Sequence, residues 1–145
     1  MRKKRKLISS AILPVIISLL IIALDWIICV GLSVHRAHLS MIHVILELFV
    51  AFLFPAAPAI YGWITKNRFG SILVGAIPIM GFILLLNFGY FYPSPNLERI
   101  IRVVTYGVCL STVAGLEGYF ASKRKYLATF CLCGLWLFIF LLGIH

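Results

Sequence analysis

The chain has 145 residues, of which 63% are apolar and only 12% charged, with a mean hydropathy of +1.10. A soluble domain carries about twice that charged fraction, so composition excludes an ordinary water-soluble domain and points to an integral membrane protein. Thirteen Lys and Arg against four Asp and Glu give a net charge of +9; these residues flank apolar runs, which makes them a topology signal rather than a nucleic-acid surface.

A membrane-crossing helix needs about 20 mostly apolar residues, and five stretches reach that length, at 7–32, 39–64, 69–90, 102–121 and 126–144. The first follows the basic start MRKKRK. Its apolar run extends for about 24 residues, beyond the 7 to 15 of a secretory-signal core, and no A-x-A site closes it, so an uncleaved first helix is expected. Asp25 falls inside this run, about 10 Å below its outer end at 1.5 Å per residue.

The short segment around His35-Arg-Ala-His38 leads into the second run, which holds His43, Glu47, Pro55 and Pro58. Glu47 lies about 12 Å from the outer end of its helix, and His43 is one turn above it on the same face. The third run carries Pro78 and, three residues from its outer end, Asn87. The prolines each remove a backbone hydrogen bond and favour a kink.

In the fourth run Tyr106 lies one turn from the start and Glu117 about five residues from the opposite end. Gly107, Ser111, Gly115 and Gly118 form a small-residue ridge that admits close approach of another helix. Snorkelling, or pairing with Lys123 or Arg124, is the expected fate of Glu117. The fifth run contains Cys131 and Cys133. With Cys29 and Cys109 these read as small apolar packing residues, since all four lie in apolar runs.

Orientation follows from the loops. With the N-terminus inside, ten Lys and Arg fall on the cytoplasmic side and three, Arg36, Arg99 and Arg102, on the outer side. The expected fold is therefore all-α, a single bundle of five transmembrane helices over 1–145, with a cytoplasmic N-terminus and His145 outside. Tyr61, Trp63, Tyr119 and Tyr126 at one interface and Tyr90 and Tyr92 at the other fit the aromatic belts. The segment Tyr61-Gly-Trp-Ile-Thr-Lys-Asn-Arg also resembles Glu117-Gly-Tyr-Phe-Ala-Ser-Lys-Arg at an offset of 56 residues, as a duplicated helical hairpin would produce.

Three of the four carboxylates thus fall within apolar spans, and an intramembrane carboxylate is a functional-site candidate by default. Asp25 and Glu47 are expected at similar depth in consecutive helices, where they would share a proton or hold a cation, with His43, Asn87 and Tyr106 adding polar groups in the same leaflet; Glu117 is a weaker candidate. The structural alternative pairs these acids with Arg99, Arg102 or the loop histidines. A metal site built on His35, His38 and His43 is a further alternative, although these spacings match no known ligand set. Hydrolase, metalloprotease and phosphate-loop motifs do not occur, and no cofactor is expected.

A five-helix chain of this size has little interior for a pathway of its own. An accessory or scaffolding subunit of a membrane assembly is therefore the leading expectation. The alternative is a small proton- or cation-coupled transporter or channel using Asp25 and Glu47. The expected partners are the lipid bilayer, further copies of the chain or another membrane protein, and no nucleic acid, with the plasma membrane as the site.

Overall fold

A computed structural model describes the backbone of residues 2–34, 41–86 and 97–143, and the side chains of 11–28, 45, 48–49, 51–85, 97–98 and 100–142. Five helices are formed: α1 (Arg2–Val34), α2 (Met41–Thr65), α3 (Arg68–Leu86), α4 (Leu97–Ser122) and α5 (Tyr126–Gly143). Each overlaps one of the five apolar runs, but α1 and α4 begin five residues before the expected starts at 7 and 102. Three contain segments long and apolar enough to cross a membrane, Ala11–Ile28, Arg68–Leu85 and Ile100–Ser122, while Ala51–Thr65 and Tyr126–Leu142 are shorter apolar helices.

Both short turns close through specific chemistry. At the end of α2, Lys66 takes a left-handed conformation with φ 54°, and its N–H donates to the Gly62 carbonyl at 3.0 Å. Asn67 then caps α3, its Oδ1 accepting from the Gly70 N–H at 3.1 Å, which satisfies a donor left free at a helix start. At the end of α4, Arg124 has φ 57°. The Lys125 N–H reaches back to the Phe120 carbonyl at 3.1 Å and the Arg124 N–H to Ala121 at 2.9 Å, the Schellman pattern. Both turns bring their cations to one end of the bundle, referred to below as the basic end.

The helices do not pack in chain order. α3 and α4 form the central pair, α1 lies against α3 and α5 against α4, while α2 crosses the α3–α4 seam and touches α1 and α5 lightly. Small residues set this order. A Cβ placed on Gly75 of α3 would stand 2.5 Å from the Ala114 carbonyl oxygen of α4. On Gly118 of α4 it would meet the Ser71 carbonyl at 2.6 Å and the Pro58 ring at 3.0 Å, and on Gly62 of α2 it would meet the Gly118 carbonyl at 2.7 Å. Backbone thus lies on backbone where α2, α3 and α4 converge, the arrangement that small residues permit in helices packed within lipid.

The α1 contact is a narrow stripe of Pro14, Ser18, Ile21 and Asp25, buried at a spacing of three to four residues. The Ser18 hydroxyl bridges the Pro14 carbonyl at 2.8 Å and, at 3.4 Å, the Leu73 carbonyl of α3. Elsewhere in its described stretch, 11–28, α1 exposes Leu13, Ile16, Leu19, Leu20 and Ile27. Exposed apolar surface on this scale belongs in hydrocarbon rather than water.

Away from the basic end the interior is aromatic. Phe54 of α2 lies 5.3 Å from Phe82 of α3 and 6.1 Å from Trp136 of α5, and Trp136 stacks on Phe140 at 5.2 Å. The two similar hairpin segments bring Gly62 and Gly118 into contact. Their surroundings are nonetheless not two-fold related, because α3 and α4 pack along their length whereas α2 and α5 barely meet. Trp63 sits at the basic end against Tyr126 and Phe130, 5.9 and 6.4 Å between ring centroids. Tyr90 and Tyr92 lie outside the described residues.

Candidate functional site

Asp25 is fully buried by the docking of α1 on α3, and neither carboxyl oxygen has a hydrogen-bond partner. Its place follows from helical periodicity: seven residues after Ser18, it returns to the face that Ser18 presents to Leu73. Arg102, a partner considered for it from sequence, instead pairs with Glu98 at 3.0 Å on the surface of α4. The i, i+4 spacing makes that pair local, and it is the one ion pair among the described residues.

Glu117 is also buried, at 1% exposure, and its Oε2 has no partner. It does not snorkel. Lys123, which could have met it, lies over the Tyr119 ring at 4.3 Å. Glu117 belongs to the α4 face that meets α5, where Cys133 is within its electrostatic reach. The Trp136 indole N–H, one turn further along α5, is buried and likewise unpartnered. Buried polar atoms without partners are uncommon in native proteins, and each calls for a physical reason.

Tyr106 occupies the same face of α4 as Glu117, since eleven residues return nearly to the same angle. Its hydroxyl donates to the Phe140 carbonyl at 3.1 Å. The phenol is thus committed to joining α4 and α5. Among the described residues Asp25 stands on a helix that has no contact with α4, because α3 lies between them. Asp25 therefore does not share a pocket with Tyr106 or Glu117.

The backbones of His43 and Glu47 lie in the first two turns of α2, but their side chains, and that of Arg99, are outside the described residues. His35, His38 and Asn87 also lie outside them, so the proposed Asp25–Glu47 site and the histidine metal site are not described. Among the described residues no group of three His, Cys, Asp or Glu is placed to hold a metal.

Sequence reasoning missed how completely Glu117 is enclosed. Part of the signal was present in Gly118 beside it, which lets α3 and α2 approach α4 closely. Among the described cysteines, Cys109 and Cys131 differ from expectation, being exposed on the bundle surface, and Cys133 is partly buried; the Cys29 side chain lies outside the described residues. Comparison with known protein families, with curated proteins and with solved structures returns no match.

Proposed function

We propose that this is a small multi-pass membrane protein with proton- or cation-coupled activity, built on carboxyl groups held inside the bundle. The observation that carries this reading is that Asp25 and Glu117 are both buried while neither has a cationic partner among the described residues. An unpaired carboxylate is among the costliest groups to hold at membrane depth, and a packing role alone would be filled at lower cost by an apolar side chain. A carboxyl that exchanges a proton or meets a cation gives a reason for retaining the acid. With the basic end in the cytoplasm, Asp25 serves the outer leaflet and Glu117 the inner one, and Glu47 is the further acid that Asp25 would engage on the outer side.

The test is proton flux into liposomes holding the purified protein and a pH-sensitive dye, driven by an imposed pH gradient. Flux in the native protein that is lost in Asp25→Asn or Glu117→Gln supports the reading. Flux equal to that of empty liposomes, in protein that keeps its native melting temperature, overturns it.

One observation favours the accessory-subunit reading. The backbone contacts among α2, α3 and α4 make a stiff block, suited to holding a partner in place. That reading predicts no flux and a defined stoichiometric assembly, measured by mass after mild detergent extraction.

A further inference from the structure

A groove of about 530 Å³ runs along the outside of the α3–α4 pair and is open to the side. Ile72, Ala76 and Met80 form its α3 wall at four-residue intervals; Thr112, Gly115 and Tyr119 form its α4 wall at intervals of three and four. Its floor is where Gly115 approaches Ile72, so that a Cβ on the glycine would stand 3.4 Å from Cγ2 of the isoleucine. The lining is almost wholly apolar, and its length along the helices is about 12 Å at 1.5 Å per residue.

Both walls end in a cation. One turn before Ile72 the α3 row continues to Arg68, and one turn beyond Tyr119 the α4 row continues to Lys123; both side chains are exposed. Lys123 caps the Tyr119 ring, and Tyr119 lies in the positive field of Lys123, Arg68 and Lys125. The groove is thus an apolar channel open to hydrocarbon along its length, with positive charge at one mouth.

We infer that this groove holds an anionic phospholipid, with an acyl chain between α3 and α4 and the phosphate headgroup between Arg68 and Lys123. Charge complementarity selects this occupant. A zwitterionic lipid would fit the channel but gain little at the mouth. A second copy of the chain in the same orientation would bring two sets of these cations together. The inference is independent of any proton-coupled role.

The full-length protein in detergent is mixed with phosphatidylglycerol or phosphatidylcholine of matched acyl chains, and bound lipid is counted by native mass spectrometry. A basic residue near an anionic surface contributes about fivefold in binding, so the two should favour phosphatidylglycerol on the order of twentyfold. Arg68→Gln with Lys123→Gln should bring the two lipids to near parity. Lys66→Gln with Arg124→Gln, which removes equal charge from the same end but not the charges that act on Tyr119 at the groove mouth, should retain the preference. Thr112→Trp should lower binding of both lipids by filling the channel. It is a mild change to the fold, because Thr112 is exposed and its hydroxyl bonds only to its own helix at Val108. Equal binding of the two lipids by the native protein overturns the inference, as does equal loss of preference in both double variants. Unchanged lipid binding in Thr112→Trp, or a lipid-free dimer that this variant splits, also overturns it.

Discussion

Gly75 and Ala114 meet with backbone against backbone: a single added carbon on Gly75 would stand 2.5 Å from the Ala114 carbonyl oxygen. No rotamer relieves such a clash, since both sides of it are main chain. The α3–α4 pair therefore depends on the absence of a side chain at this position.

Gly75→Ala should accordingly lower stability by about 1–3 kcal/mol, the range for overpacking a close contact. Gly134→Ala is the matched control, because nothing lies within 4 Å of a Cβ placed there. It should leave stability unchanged or raise it by up to about 1 kcal/mol through helix propensity. Thermal unfolding in detergent measures both, and a Gly75→Ala protein as stable as the native one would show that α3 and α4 are not held this closely.

Asp25→Asn and Glu117→Gln remove no ion pair, so each should change stability by less than about 1 kcal/mol. Losing one partner of a buried pair would instead cost about 3–5 kcal/mol. Because α3 separates the two acids, their effects should add within about 0.5 kcal/mol. A loss in the ion-pair range for either variant would reveal a cation at that carboxyl and remove the ground for the proton-coupled reading.

The Tyr106 hydroxyl joins α4 to the Phe140 carbonyl of α5. Tyr106→Phe should therefore destabilise by about 0.5–1.5 kcal/mol, near the lower end if the membrane average of about 0.6 applies. Proton flux should be unaffected, because the ring remains and the lost group is already engaged. A variant of native stability with abolished flux would instead place the phenol in the transport chemistry.

Topology is open to a direct test. Reporters inserted after Asn67 or fused beyond His145 should report opposite sides of the membrane, with the first in the cytoplasm, as the ten-to-three distribution of Lys and Arg requires. The same side for both would mean that at least one of α3, α4 and α5 does not cross.

The helices were legible in the sequence because length, hydropathy and charged breaks act along the chain. The breaks that became the two turns were legible for the same reason, whereas the Glu98–Arg102 pair was not, because the helix was expected to begin only at Arg102. Nor was lateral order. Chain order suggests α1 chiefly beside α2, whereas α1 packs mainly on α3, because neighbours within a membrane are chosen by close approach rather than by hydrophobicity; the expected Asp25–Glu47 pairing involves a side chain outside the described residues. The contacts that select α3 for α1 are single matches: Pro14 at Gly70, Ser18 at the Leu73 carbonyl and Ile22 at Gly81. Depth could be read for both Asp25 and Glu117, whereas the identity of the helix covering each carboxyl depends on the third dimension. The ridge of Gly107, Ser111, Gly115 and Gly118 was visible as a ridge, but its two-sided use by α2 and α3 was not.

The docking of α1 on α3 rather than on α2 also has a consequence for biogenesis. The Asp25 stripe has no covering helix until the chain beyond Arg68 has been made and α3 has entered the bilayer. At about 5–20 residues per second this delay is on the order of several seconds, during which a carboxylate costing about 2.5–3.5 kcal/mol at a helix centre must be tolerated by the insertion machinery or the nascent hairpin. Insertion of α1 is thus completed by a later part of the same polypeptide, and truncation before α3 should leave α1 less securely inserted than it is in the whole chain.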